Sequence, residues 1–210
     1  MDAVIGMYDA NREAEWRTYL GGLLDDNRHL WLSFCPFRPR SRGTVRLASA
    51  HPFDAPLIDP AYFSDHGGGG GGGGGQDLAS VVRGMSIGLS IAESPLLAPH
   101  LTPYHRPVPG CRRCPGDLEG RFQSRCPSYL ACVAQTYTLT TFHPVGSCRM
   151  GNASSPDAVV DERLRVLGAG RLRVVDASIM PMVPNANTNA ATVMIGEKGS
   201  QMIREEYRLL

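Results

Sequence analysis

The chain has 210 residues, a hydrophobic fraction of 42% and a formal net charge of +1. This length and composition indicate one folded domain, with room for an appendage, and the near-neutral charge disfavours nucleic-acid binding. No apolar run approaches the ~20 residues of a membrane span, and the charged start "MDAVIGMYDANREAEWR" lacks the apolar core of a secretory signal.

In the first half of the chain, short apolar runs alternate with proline-rich segments. Residues 1–28 predict a helical segment of weak amphipathicity. "HLWLSFCPF" (29–37) has the length and apolar content of a buried strand, and "TVRLAS" (44–49) alternates as a second strand should. "HPFDAPLIDPAYFSD" (51–65) follows as extended chain interrupted by prolines.

A glycine run, Gly67 to Gly75, precedes the next predicted helix. A glycine loop before a helix can cradle phosphate, but no strand leads into this run and no Lys-Ser or Lys-Thr pair closes it. We therefore predict a flexible insert without a catalytic role. "DLASVVRGMSIGLSIAES" (77–94) then carries apolar residues at helical spacing, with Asp77 as a candidate N-cap.

Four of the six cysteines lie close together, in "CRRC" and shortly after it. A zinc site is disfavoured because Cys126 and Cys132 have five residues between them, an unusual ligand spacing. A thioredoxin-type motif is disfavoured because loop residues surround "CRRC". We predict no metal site, and instead a disulfide from Cys111 to either Cys126 or Cys132 if the protein is extracellular.

The second half predicts more regular elements. "YLACVAQTYTLTTFHPV" (129–145) begins as a helix and ends in a β-branched run, which predicts a strand at 134–143. "LRVVDASIMP" (172–181) predicts a buried strand entering a turn, and "NAATVMIGEKGSQMIREEY" (189–207) predicts a closing helix. Together with the earlier strands, this pattern predicts an α+β fold, in which an antiparallel sheet packs against helices.

The segment "TFHPVGSCRMG" (141–151) is too irregular for a helix and too rich in small residues for an ordinary strand. Pro144 fixes its own φ and biases His143 toward extended backbone, while Gly146 permits a turn. Such a segment holds one imidazole in one place. A core histidine beside a turn is one interpretation of this segment.

Three segments then occur in order: "FHPVGSCRMG", "AVVDERLRVLGAGRLRVVDASIMP" and "NANTNAATVMIGEK". Together they resemble the C-terminal part of the glucose–methanol–choline (GMC) oxidoreductases, which are flavin-dependent alcohol oxidases and dehydrogenases. The segments "RPRSRGTVRLAS" and "LTPYHRPVPGC" also resemble that family. They are most similar to its insect FAD glucose-dehydrogenase-like branch.

The resemblance implies a catalytic pair. Family members oxidise a CH–OH group by hydride transfer to flavin N5, and a base takes the hydroxyl proton. His143 occupies the position of the family's active-site histidine. Asn187 occupies the position of a second residue, histidine or asparagine, that faces the same substrate oxygen. From the sequence alone, Asn187 is a candidate helix N-cap, and both roles are compatible.

The resemblance also implies contacts with FAD. Asp176 and Ala177, in "VVDAS", match the segment that meets the linker and diphosphate of the flavin. Thr188, Asn189 and Ala190 begin the closing helix, whose backbone N–H groups would point at the isoalloxazine pyrimidine. Without the resemblance, Asp176 would be interpreted as a turn residue at the end of a strand.

No strand in this chain leads into a G-x-G-x-x-G motif, the start of a dinucleotide-binding half. We therefore expect a GMC substrate domain at 29–171, with a poly-glycine insert, and a segment at 172–210 that returns to an absent FAD-binding domain. The expected partners are that domain and a small alcohol or sugar, and the isolated chain should be inactive and should not retain FAD.

Two alternatives to the enzyme remain at this point. One is a non-catalytic binding module derived from a GMC enzyme, and the other is a structural domain stapled by its cysteines. Proteins of the insect-like branch are often extracellular, whereas this chain starts without a signal peptide. The sequence therefore assigns no compartment.

Overall fold

The computed structural model describes residues 13–24, 30, 32–65, 75–104, 107–114 and 125–208. The predictions for residues 1–12 and for the glycines at 67–74 lie outside these described residues. The chain divides into two compact units. We call them the helical unit, Met1–Pro36 with Tyr62–Leu139, and the C-terminal unit, Phe37–Ala61 with Thr140–Leu210.

The described residues form a small antiparallel sheet and several helices, which agrees with the predicted α+β class. None of these helices is long and apolar enough to cross a membrane. The elements are, in chain order, α1 (Glu13–Leu24), β1 (Thr44–Arg46), β2 (Leu57–Asp59), α2 (Gln76–Ala92), α3 (Pro127–Thr136), a 3₁₀ helix (Ala177–Ile179) and α4 (Thr188–Tyr207).

The helical unit is built on α2 and α3, which pack against each other. Leu78 and Val81 of α2 and Ala134 of α3 form a buried apolar cluster. Phe34 packs on α2 at Gly88, where an added Cβ would lie 2.4 Å from Cε1 of the ring. Full burial of one such large apolar side chain contributes about 1.5–3 kcal/mol, so the helix pair has its own core.

Two disulfides join the loop 107–114 to α3 and to Cys126, the residue that directly precedes α3. Cys111 is bonded to Cys132, and Cys114 is bonded to Cys126. The predicted bond from Cys111 to Cys132 is confirmed. The alternative bond from Cys111 to Cys126 is wrong, because Cys126 is bonded to Cys114. Since all four sulfurs are paired, none is free to bind zinc, and the described residues contain no other cluster of metal ligands.

The C-terminal unit combines a short ribbon with a core beneath α4. Strands β1 and β2 are antiparallel, with Val45 opposite Ile58, and both side chains are exposed. The buried core is formed by Val160, Leu164, Ile179, Met180 and Ile195. Much of the chain around this core has no regular structure and is held by backbone hydrogen bonds between loops.

Both helices predicted from apolar spacing at 77–94 and 189–207 are confirmed as α2 and α4. The N-cap predicted for α2 is wrong. Gly75 precedes the helix, and Asp77 lies buried in its first turn. The N–H of Asp77 donates to Oδ2 of Asp65 at 3.0 Å, so a carboxylate from the preceding segment satisfies this helix end.

The strand predicted at 44–49 is confirmed over its first three residues, as β1. Its partner β2 lies within the segment 51–65, which was predicted only as extended chain. The strand predicted at 29–37 is wrong, since its described residues form no ladder. Pro36 offers no N–H to a ladder, and Phe34 packs on α2 instead.

Two further strand predictions in the second half are also wrong. Residues 134–136 continue α3, and 137–143 are irregular. Segment 172–181 makes one isolated bridge, from Arg173 to Arg165, before the 3₁₀ helix begins. Asp176 caps that helix through its side chain, so the chain turns where the apolar run would otherwise continue as a strand.

Candidate active site

The segment that carries His143 is shaped by two residues with positive φ. Phe142 has φ 59°, and its N–H donates to Oγ1 of Thr140 at 3.0 Å. Gly146 has φ 89°, and a Cβ added there would lie 3.3 Å from the carbonyl oxygen of Met180. Left-handed backbone costs a bulky residue about 1–2 kcal/mol, so the bends on either side of His143 are specified locally.

Backbone hydrogen bonds hold this segment against the end of the 3₁₀ helix. The N–H of Cys148 donates to the carbonyl of Ser178 at 3.0 Å, and the N–H of Met150 donates to that of Ile179 at 2.7 Å. Val145 packs against the buried core of the C-terminal unit. The histidine segment is therefore fixed at both its backbone and its apolar side, although it is not a regular element.

Asn187 lies at the start of α4 and serves as its N-cap. Its Oδ1 accepts the N–H of Asn189 at 2.9 Å. Its Nδ2 lies 3.0 Å from Nε2 of His143. The structure thus brings together the two residues that the resemblance predicted as a catalytic pair, and the predicted N-cap is confirmed as well.

The helix cap decides the hydrogen-bond direction between the two side chains. Because Oδ1 of Asn187 accepts from the helix, the amide nitrogen Nδ2 faces His143, and an amide nitrogen can only donate. Nε2 of His143 is then assigned as the acceptor, which corresponds to the tautomer that carries its proton on Nδ1. Nε2 is therefore the ring nitrogen that carries the lone pair, and in this structure that lone pair accepts the amide of Asn187.

This arrangement offers complementary groups to a hydroxyl. An alcohol O–H that replaces the direct hydrogen bond between the two side chains can donate to Nε2 of His143 while its oxygen accepts from Nδ2 of Asn187. His143 is half-buried and Asn187 is exposed, so a ligand can reach both. A fixed acceptor beside a fixed donor is suited to removing a proton from an oxygen that gains negative charge.

The residues predicted to contact FAD lie in the same unit, around α4 and the 3₁₀ helix, which pack together. Asp176 is exposed, and its Oδ1 accepts the N–H of Ser178 at 2.8 Å. Ala177 packs against the core, and Thr188 is buried at 6% exposure. Asn189 and Ala190 are exposed in the first turn of α4.

Several supporting residues were not predicted. Thr140, Ser178 and Ile179 form hydrogen bonds with the histidine segment through backbone and hydroxyl groups, and such contacts leave little signal in a sequence. Gly146 was singled out as a turn residue, and its positive φ confirms that interpretation.

Asp161 anchors a second polar cluster in the C-terminal unit. Its Oδ1 accepts the N–H groups of Arg163 and Arg165, both at 2.9 Å, and its Oδ2 binds the guanidinium of Arg165 at 2.8 Å. Burial alone would raise the pKa of this carboxyl, but the hydrogen bonds from Arg165 and Arg163 outweigh burial and lower it. Nearby, Arg173 binds Glu206.

An open cleft of about 590 Å³ lies beside this polar cluster, between the loop 165–173 and the end of α4. It contains neither His143 nor Asn187. Its two carboxylates, Asp161 and Glu206, are already bound by arginines. We assign the candidate chemistry to the histidine–asparagine pair rather than to this cleft, because the carboxylates of the cleft are held in ion pairs, whereas the partner of His143 is the uncharged Asn187 and the pair is open to a ligand.

Comparison with known proteins identifies the relatives of the chain. The sequence profile described as "GMC oxidoreductase" matches residues 39–196. An alcohol dehydrogenase [acceptor] from Pseudomonas putida is 38% identical over 172 residues, which is 82% of this chain and 27% of that protein. A glucose dehydrogenase [FAD, quinone] from Drosophila pseudoobscura pseudoobscura is 34% identical over 190 residues, which is 90% of this chain and 28% of that protein.

A solved structure of pyridoxine 4-oxidase from Mesorbium loti matches with a TM-score of 0.58 and 30% identity. The match covers 80% of this chain and 28% of that structure. The chain thus spans just over a quarter of the length of each of these relatives. These matches confirm the family predicted from the sequence motifs: the chain belongs to the GMC oxidoreductases.

Proposed function

We propose that the chain is the C-terminal part of an FAD-dependent oxidoreductase that oxidises a CH–OH group of an alcohol or sugar. The observation that supports this function most is the 3.0 Å pairing of Asn187 Nδ2 with His143 Nε2. Relatives named as an alcohol dehydrogenase and a glucose dehydrogenase favour the same substrate class.

His143 and Asn187 divide the work on the substrate hydroxyl. Nε2 of His143 accepts the hydroxyl proton, because its lone pair is the only acceptor that the imidazole presents in this tautomer. Nδ2 of Asn187 donates to the same oxygen as negative charge develops on it. After the carbonyl product leaves, the imidazolium returns its proton to solvent, and the neutral ring is restored.

The residues near the pair fit the cofactor that the family implies. The first-turn N–H groups of a helix have no acceptor within the helix. In α4 the N–H of Asn189 donates to Asn187, and the exposed Ala190 follows it in the same turn. Thr188 begins this turn, and Asp176 and Ala177 begin the 3₁₀ helix that packs on α4. Bound FAD would accept the hydride from the substrate carbon.

The remaining part of such an enzyme is the proposed partner of this chain. Val193 and Met194 of α4 are each 58% exposed, and an FAD-binding domain would cover them. On this proposal the phosphate cradle of FAD lies in that other part. The isolated chain should therefore be purified without stoichiometric flavin absorbance, and bound flavin would contradict this assignment.

The function is tested by joining this chain to the dinucleotide-binding half of a close relative. His143→Ala in the joined enzyme should slow flavin reduction by about 10²–10⁴-fold, the usual effect of losing a positioned base. FAD content and melting temperature should stay near those of the parent. His51→Ala, which changes an exposed histidine of the same unit, is the matched control and should leave the rate unchanged.

Two outcomes would overturn the proposal. If folded His143→Ala enzyme reduces its flavin as fast as the parent, the imidazole is a packing residue. If the joined protein binds FAD but oxidises neither alcohols nor sugars, the non-catalytic binding module is the better interpretation.

A further inference from the structure

The helical unit contains two nested disulfides that join one loop to one helix. Cys111 and Cys114 lie in the loop 107–114, Cys126 directly precedes α3, and Cys132 lies within it. The paired Cα atoms are 5.7 and 5.8 Å apart, within the range of about 4.4–6.8 Å that native disulfides occupy. The backbone therefore already places these sulfurs for bonding.

Besides the disulfides, hydrogen bonds and an apolar cluster connect this loop to the helix. It has no helix or strand of its own. Its backbone is held by the N–H of Cys111 donating to the carbonyl of Val108 at 2.9 Å, and by the N–H of Val108 donating to the hydroxyl of Tyr129 at 3.3 Å. Its buried side chains are Val108 and Cys111, and Cys132 packs against them, so both cysteines of one disulfide belong to the local core.

The bonding pattern is structural and differs from that of a redox-active C-x-x-C motif. In such a motif the two cysteines bond each other, whereas those of "CRRC" bond two different partners. Cys111 and Cys126 are also only 5% and 2% exposed. Each bond therefore has one buried cysteine, to which an attacking thiolate has poor access, and one half-buried cysteine, Cys132 or Cys114.

We propose that this chain reaches its native state only in an oxidising compartment. Cys111, Cys114, Cys126 and Cys132 are oxidised there, while Cys35 and Cys148 remain thiols. Each bond forms as two thiols give up two electrons and two protons to a disulfide-containing oxidant, which is itself reduced to two thiols. In a reducing cytosol the thiols stay reduced, and the loop loses its covalent attachment to α3 and to Cys126. This inference does not depend on the proposed function.

The bonding state is tested by secreting the full chain from eukaryotic cells behind a cleavable leader. The purified protein is denatured and alkylated without reduction, then mapped by mass spectrometry. We expect cross-linked peptides containing Cys111–Cys132 and Cys114–Cys126, with alkylated Cys35 and Cys148. Alkylation of all six cysteines, or pairing of Cys111 with Cys114, would overturn the proposal.

The need for the bonds is tested with paired serine variants. Secreted yield should fall several-fold for Cys111→Ser with Cys132→Ser, because destabilised chains are degraded. Any folded fraction should melt roughly 10 °C lower. The matched control, Cys35→Ser with Cys148→Ser, should be secreted and melt like the parent. Equal yield and melting temperature for both pairs, or an equally stable chain made without oxidation in the cytosol, would contradict the inference.

Discussion

The two units of the chain achieve order by different means. The helical unit combines packed helices with two disulfides, and it carries none of the predicted site residues. The C-terminal unit carries all of them, yet most of its site is irregular chain held by hydrogen bonds over one core. The comparison shows that the side chains of a candidate site can be positioned by loops, provided that the loops are bound to a buried core.

The largest expected effect is the loss of stability when a core leucine is truncated in one unit or the other. Leu130→Ala in the helical unit and Leu164→Ala in the C-terminal unit remove side chains that are 1% and 4% exposed. Each should cost about 2–5 kcal/mol of unfolding free energy. Hydrogen exchange should show faster exchange of the Cys148 and Met150 amides only for Leu164→Ala, and equal loss in both variants would mean that the site does not depend on its own core.

A smaller loss of stability is expected from substitutions in α4 that test how closely this helix packs on the core of the C-terminal unit. A Cβ added at Gly199 would lie 2.3 Å from Cγ1 of Val175, whereas nothing lies within 4 Å at Gly196 of the same helix. Gly199→Ala should cost about 1–3 kcal/mol through overpacking. Gly196→Ala, the matched control, should be neutral or stabilise the helix by up to about 1 kcal/mol. Thermal melting of the pair measures the difference, and equal melting temperatures would show that α4 is not packed as described.

The smallest expected effect is the pH-dependent contribution of Asp161 to the stability of the fold. The pKa of Asp161 is lowered in the folded chain because the hydrogen bonds from Arg165 and Arg163 outweigh the effect of burial. Its contribution to stability is therefore present above its unfolded pKa, near 3.9, and is lost as pH falls through the folded pKa. Asp161→Asn should lower stability by about 1 kcal/mol at neutral pH. Melting curves of parent and variant should converge on acidification, and a gap that stays constant would contradict the assignment.

The elements that the sequence predicted correctly were those with local signals. Apolar residues at helical spacing sufficed for α2 and α4, because a helix is closed by contacts between near neighbours in the chain. The β-branched run before His143 did not form a strand, since a strand needs a partner that no local pattern supplies. Cysteine spacing likewise left two partners open for Cys111, and only the fold chose Cys132.

The candidate site was predicted for a different reason. His143 and Asn187 are far apart in the sequence, and nothing in their spacing shows that they meet. Their pairing was predicted only because the motifs around them resemble those of the GMC oxidoreductases. The fold adds what the resemblance did not imply: the helix cap at Asn187 orients its amide and thereby selects Nε2 of His143 as the acceptor.

The most direct test of the proposed catalytic pair is a double-mutant cycle on His143 and Asn187 in the joined enzyme. Asn187→Ser keeps a good N-cap for α4 but removes the amide that faces His143. We expect flavin reduction to slow by about 10²-fold for Asn187→Ser and by about 10²–10⁴-fold for His143→Ala. Because both residues act on one substrate oxygen, the double variant should be much faster than the product of the two effects predicts. Fully multiplicative effects, or single variants as fast as the parent while remaining folded and FAD-bound, would contradict the claim that the two side chains form one catalytic unit.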